Sequence, residues 1–347
     1  MRTLMAGLMA LLMILPAHAK PPKAVEFNSA DGVLRWINGY RAKPDPNSVP
    51  AAMRALSRLG GLQDSERAGV YVGFLAGVIG SNPAAADTII DKTLDIQRED
   101  RWIVVRAIAY SGRPDWQDLL RKFAGRMPER QAMIEKYLAG TSPTLDELVI
   151  APSPSGFERM RDHLRIDAVW GKRERKTILE PSPEVLDILW GYYFATGSYG
   201  PIMRIVAMLP WSDDRDDVER LTIGSMAKFT LASNATRDSD LLMLLKGSSK
   251  ARNQKKETVA ALNEVTDAAE TVEIARIRKQ AVAAIDELRR KGPAYRRKAS
   301  WWGFVGQSAI AGGCIAAGVT GHVEFGLPCV VGGAAASGVM NFISNQP

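Results

Sequence analysis

DILWGYYFATG (187–197), followed by SYGP (198–201), sets the terms for the rest of the chain. The first eleven residues are apolar almost all round, which predicts a central helix buried on every face. Gly197 then ends it in the left-handed conformation, where a residue without Cβ meets no steric penalty. Pro201 falls near the start of the next helix, where its missing amide proton is no loss. The same grammar recurs at AGVIGSNP (76–83), AYSGRP (109–114) and LAGTSP (138–143). The stops at Gly80, Gly112, Gly140, Gly171 and Gly197 are 32, 28, 31 and 26 residues apart. Each interval is the length of one helical pair. Asn82-Pro83, Ser142-Pro143 and Ser182-Pro183 each offer an N-cap followed by Pro at the first helical position.

Strand patterns are scarce, so an all-α chain is expected from Asp31 to about Lys291. A helical hairpin repeating at this period reads as an irregular α-solenoid, because each pair needs neighbours to bury its second face. A bundle of helices of similar length gives the same spacing. The style resembles TPR or HEAT arrays, although the Trp, Leu-Gly and Tyr offsets of TPR are absent. Turn-rich text at 150–158 and 171–183 marks a break across 150–183. Tyr71, Phe74, Trp102, Trp190, Tyr193 and Phe194 lie on apolar helix faces and are read as core rather than as a ligand groove. Residues 250–291 lack Gly and Pro. Apolar stripes through Val259, Leu262, Val265 and Ala269, then Ile274, Ile277, Ala281, Ile285 and Leu288, predict one long amphipathic helix, or two meeting near 271–274.

The N-terminal MRTLMAGLMALLMILPAHA (1–19) carries Arg2, an apolar run, a helix-breaking Pro16 and a small-x-small site. That pattern predicts a signal peptide cleaved between Ala19 and Lys20, and hence export to a periplasmic or cell-envelope location. The apolar run is shorter than the ~20 residues an anchor requires. The chain then divides into a signal (1–19), a helical body (20–249), a long helix with a basic neck (250–298) and an apolar hairpin (299–347).

Composition excludes two classes at once. With 46% hydrophobic and 24% charged residues the 347-residue chain is globular rather than disordered. Two cysteines build neither a disulfide scaffold nor a four-Cys zinc site. The formal charge of +7 is local: residues 250–298 hold 13 Lys+Arg against 7 Asp+Glu. Nucleic acid is therefore not an expected partner of an exported chain without a distributed basic groove.

Motifs for catalysis are missing: no G-x-S-x-G elbow, H-E-x-x-H pair, Walker loop, dinucleotide fingerprint or C-x-x-C occurs. No catalytic residue, cofactor site or metal site is assigned. His163 sits among charges and reads as a surface residue. The acidic run Asp213, Asp214, Asp216, Asp217 and Glu219 lacks the Gly and terminal Glu of a calcium loop, and with Ser212 suits a helix start. Asn234-Ala235-Thr236 matches a glycosylation sequon.

The C-terminal text is the anomaly. Residues 301–347 contain one charged residue, Glu324, and ten of the 30 glycines. Two uncharged arms, 301–319 and 327–343, flank a polar turn, with Trp301 and Trp302 where interfacial aromatics belong. Small residues recur every fourth position at Ala309, Gly313, Ala317 and Gly321, and again at Gly332 and Ala336. This spacing lets helix backbones approach closely, in the manner of a glycine zipper. The arms reach only about 28 and 25 Å as helices, against ~30 Å of hydrocarbon. Three fates follow: a hairpin in or on a membrane, an oligomerisation hairpin, or an element packed on the body. Arg289, Arg290, Lys291, Arg296, Arg297 and Lys298 are the expected contacts to lipid head groups.

The sequence thus points to an exported, non-enzymatic scaffold with a protein partner, held to a membrane or to itself by residues 301–343. A membrane-perturbing factor and a periplasmic enzyme with scattered carboxylates are the alternatives. Cys314 and Cys329 lie in opposite arms, and in an oxidising compartment they are expected to pair. Closing a loop of about 15 residues contributes on the order of 3 kcal/mol in the chain-entropy model. A non-reducing peptide map of the exported protein is expected to recover the linked peptides; two free thiols there refute the bond.

Overall fold

A computed structural model describes residues 27–151, 178–271 and 283. Twelve α-helices occur among them: α1 (Ala30–Gly39), α2 (Val49–Arg58), α3 (Gly69–Ser81), α4 (Ala86–Thr93), α5 (Trp102–Ala109), α6 (Trp116–Ala124), α7 (Gln131–Leu138), α8 (Pro183–Thr196), α9 (Tyr199–Met208), α10 (Val218–Ala235), α11 (Ser239–Ser249) and α12 (Lys256–Thr271). The described residues form no strand. A single parallel bridge joins Leu148 to Leu179, with the Val149 N–H donating to Leu179 O and the Leu179 N–H to Glu147 O, both at 3.1 Å. It ties together the chain on either side of the turn-rich break, whose interior lies outside the described residues.

The predicted stops are mostly real. Gly112, Gly140 and Gly197 take φ of 69°, 69° and 66°. Gly171 lies outside the described residues. Gly80 is different: it remains inside α3, which ends on Asn82, whose side-chain amide donates to Val78 O at 2.9 Å. A Cβ on Gly80 would stand 2.3 Å from Ser111 O, so this glycine serves a close approach and not a turn. Ser182 caps α8 as expected, accepting from the Val185 N–H at 3.2 Å with Pro183 in the first turn. The other two Pro-led caps are corrected. Asn82 closes α3 instead of opening α4, which starts only at Ala86. Thr144, two residues past Ser142, forms the capping box with Glu147 on a short 3-10 turn. The long helix likewise starts at Lys256 rather than 250, because Lys250 caps the end of α11.

The most extensive interface pairs α3 with α8, helices more than a hundred residues apart. Both are buried nearly all round, so neither is held by a single apolar stripe. Gly69, Gly73 and Gly77 lie on successive turns of α3, and Gly191 answers from α8. A Cβ on Gly73 would fall 1.9 Å from Ile188 O, and one on Gly191 2.1 Å from Val70 O. The two backbones therefore touch, and only glycine fits between them.

Aromatic side chains fill the space around the contact. Phe74 meets Tyr40 edge-on at 4.9 Å and Trp36 at 5.5 Å. On the other side Trp190 stacks on Phe194 at 5.7 Å and donates its indole N–H to Thr230 Oγ1 of α10 at 3.0 Å. The aromatic residues read as core are core: Tyr71, Phe74, Trp102, Trp190, Tyr193 and Phe194 are all buried. Behind α3 lies α5, while α9 and α10 pack on α8. Against α10, α12 buries Leu262, Val265 and Ala269 of the predicted stripe.

Gly73→Ala is expected to destabilise the protein by about 3 kcal/mol or more, since overpacking here pushes on backbone that has no rotamer to change. Gly125, beside which a Cβ meets nothing within 4 Å, is the control. Urea unfolding of the two Ala variants checks the contrast, with Gly125→Ala expected within about 1 kcal/mol of the parent.

Candidate functional site

The residues expected to meet a membrane, a second copy or lipid head groups, to form the disulfide or to flank the cleavage site all lie outside the described residues. This holds for Ala19 and Lys20, for Arg289 through Lys298, for Trp301, Trp302, Gly313, Ala317, Gly321, Gly332 and Ala336, and for Cys314 and Cys329. His163 is outside as well. No described helix is long and apolar enough to cross a membrane, and no three His, Cys, Asp or Glu side chains gather as a metal site among the described residues.

The acidic run behaves as a helix start. Asp217 caps α10, accepting from the N–H groups of Glu219 and Arg220 at 3.0 and 3.1 Å. Ser212 does not take part: it is buried in a 3-10 turn (Leu209–Asp213) pressed against Gly224. The sequon is not presented, since Asn234 is 7% exposed within α10 and donates its amide to Thr230 O at 2.9 Å.

Chemistry-bearing groups converge instead at joints between helices. Past the end of α1, Arg41 Nη1 donates to Tyr193 Oη at 2.8 Å, and Arg41 Nη2 reaches Asp238 Oδ2 at 2.5 Å. Tyr193 Oη donates to the same carboxylate oxygen at 2.7 Å. Asp238 also caps α11 by accepting from the Leu241 N–H at 3.0 Å. Three elements distant in sequence thus meet on one carboxylate. Burial pushes the Asp238 carboxyl up, but hydrogen bonds from Tyr193, Leu241 and Arg41, with the Arg41 charge, outweigh it and hold the group below its ordinary value. Burial, then the bond to Asp238, pushes the Tyr193 phenol well up, so it stays a donor.

Similar joints occur elsewhere. Arg106 of α5 pairs with Glu184 in the first turn of α8, beneath the Tyr110 ring. Lys228 of α10 pairs with Glu264 of α12. Ser57 of α2 donates to Asp100 Oδ2 at 2.6 Å and accepts from the Gln97 N–H at 3.1 Å, fixing the turn before α5. Arg101 donates to Leu94 O and Arg126 O at 3.0 Å each, linking the end of α4 to the end of α6.

One open cleft of about 500 Å³ lies beside the Ser57 joint. Phe27, Ala55 and Ile96 form its apolar wall, and Arg54, Arg58 and Asp95 bring charge to it. No motif announces these groups. The arginines are legible only as an i, i+4 pair on α2, and Phe27 and Ile96 join them through tertiary structure alone. No family model matches the chain, nor does a curated protein or a solved structure.

Asp238→Asn tests the three-way joint, because Asn keeps the helix cap and removes the charge. The loss near neutral pH is expected to be about 1–3 kcal/mol. Since the folded carboxyl titrates below its unfolded value, its contribution is present above about pH 4 and disappears as pH falls further. Urea-unfolding curves of parent and variant are expected to converge below that pH. A gap unchanged down to pH 3 would show that the charge is not what binds the joint.

Proposed function

We propose that this chain is an exported, non-enzymatic helical scaffold whose body offers a surface to a protein partner and whose apolar C-terminal segment holds it on a membrane. The reading is carried by residues 301–347, where Glu324 is the one charged residue and the Arg289–Lys298 run precedes two apolar arms. Exchanging water for hydrocarbon favours such text, and each well-placed Lys or Arg near anionic lipid adds up to about 1 kcal/mol. The signal-like residues 1–19 support the address.

The body supports the reading in a different way. Its half-buried ion pairs, Arg41–Asp238, Arg106–Glu184 and Lys228–Glu264, join helices and make a rigid frame. The helical pairs are read as an irregular solenoid folded back on itself, so that α3 meets α8. The four-residue spacing of Gly313, Ala317 and Gly321 favours a second use of the same segment, self-association of the hairpin.

Carbonate-washed membranes from cells expressing the full chain, or a chain ending at Ser300, separate these readings. The full chain is expected in the pellet and the shortened chain in the wash. Full chain released as a defined oligomer overturns the membrane reading in favour of self-association. Full chain released as a monomer removes both.

A further inference from the structure

We propose that the cleft beside Ser57 binds a small organic anion, a carboxylate or phosphate ester carrying an apolar body. The cleft is formed by the body alone and is independent of how the chain meets a membrane. Its volume, about 500 Å³, is that of a small-molecule site.

The charges in it do not balance. Arg54 and Arg58 stand one turn apart on α2, against the single carboxylate of Asp95. Arg54 is already positioned, its Nη1 donating to Lys92 O at 3.1 Å and lying 3.8 Å from Asp95 Oδ2. That leaves its other N–H groups to a ligand. Arg58 is exposed and its side chain makes no hydrogen bond or ion pair among the described residues. A carboxylate or phosphate matches the planar donor fork of a guanidinium and neutralises the excess charge.

The apolar part of the lining selects for more than charge. Phe27 and Ile96 are 7% and 5% exposed and belong to the core, so their faces toward the cleft are fixed. The turn carrying Ile96 and Gln97 is held by the Ser57–Asp100 bonds, which makes the floor rigid before any ligand arrives. An anion with a ring or short alkyl body matches both the charged and the apolar lining, whereas inorganic phosphate matches only the charge.

Calorimetric titration of the full-length chain with benzoate, phenyl phosphate, benzyl alcohol and benzylamine tests this, the four probes sharing a ring and differing in charge. Benzoate or phenyl phosphate is expected to bind, and whichever is tighter identifies the head group; the alcohol and amine are not. Arg58→Ala is expected to weaken the better anion about tenfold, the size of one charge-assisted bond. Asp95→Asn is expected to tighten it about threefold by removing a competing carboxylate. Both side chains are exposed, so circular dichroism and melting temperature should match the parent. Equal binding of alcohol and anion, no binding of either anion at millimolar concentration, or an unaltered Arg58→Ala each overturns the proposal.

Discussion

Where α3 crosses α8, peptide backbone rests on peptide backbone, and the remaining helices take their places from that contact. Gly73 faces Ile188 O and Gly191 faces Val70 O with no room for a Cβ on either side. Two helices that approach this closely exclude water from both backbones and bring flanking side chains into range. Tyr40, Phe74, Trp190 and Phe194 then fill the margins. A larger residue at either glycine would separate the helices and open gaps under every one of these rings.

Polar chemistry is arranged around the same pair. Tyr193 of α8 meets Arg41 and Asp238, and Glu184 of α8 meets Arg106. Tyr192 donates to Ser111 O at 3.1 Å in the space that Gly80 leaves free. Each joint lets an element packed on α8 find only one register, because a half-buried charge that misses its partner is costly. The apolar contact supplies proximity and the polar joints supply alignment. The cleft beside Ser57 lies outside this set, and its charges are left over from it.

Local text made the helical class legible. Gly112, Gly140 and Gly197 stop helices because a left-handed residue without Cβ is a property of a few neighbouring atoms. Ser182-Pro183 opens α8 for equally local reasons. Gly80 defeated the same rule, since its lack of a Cβ answers Ser111, thirty-one residues away. Asn82 works in the other direction from its Asn-Pro pattern, capping the helix before it because its amide reaches Val78 O within one turn. The cleft was not legible: Arg54 and Arg58 share a helix face, but nothing in their neighbourhood names Phe27 or Ile96 as fellow lining residues.

The sequence by itself therefore determined that the body is helical, that helices end at Gly112, Gly140 and Gly197, and that Tyr71, Phe74, Trp190, Tyr193 and Phe194 are buried, because capping and amphipathic burial act over a few residues. It also determined how charge is distributed, with an apolar, nearly uncharged segment behind a basic neck. Only the tertiary structure decided that α3 and α8 form the centre, that Gly69, Gly73 and Gly77 are contact residues, and that Arg41, Tyr193 and Asp238 converge. Those facts depend on which backbones touch across more than a hundred residues of chain. No periodicity within one segment carries that information, since a glycine that makes room and a glycine that makes a turn are the same letter.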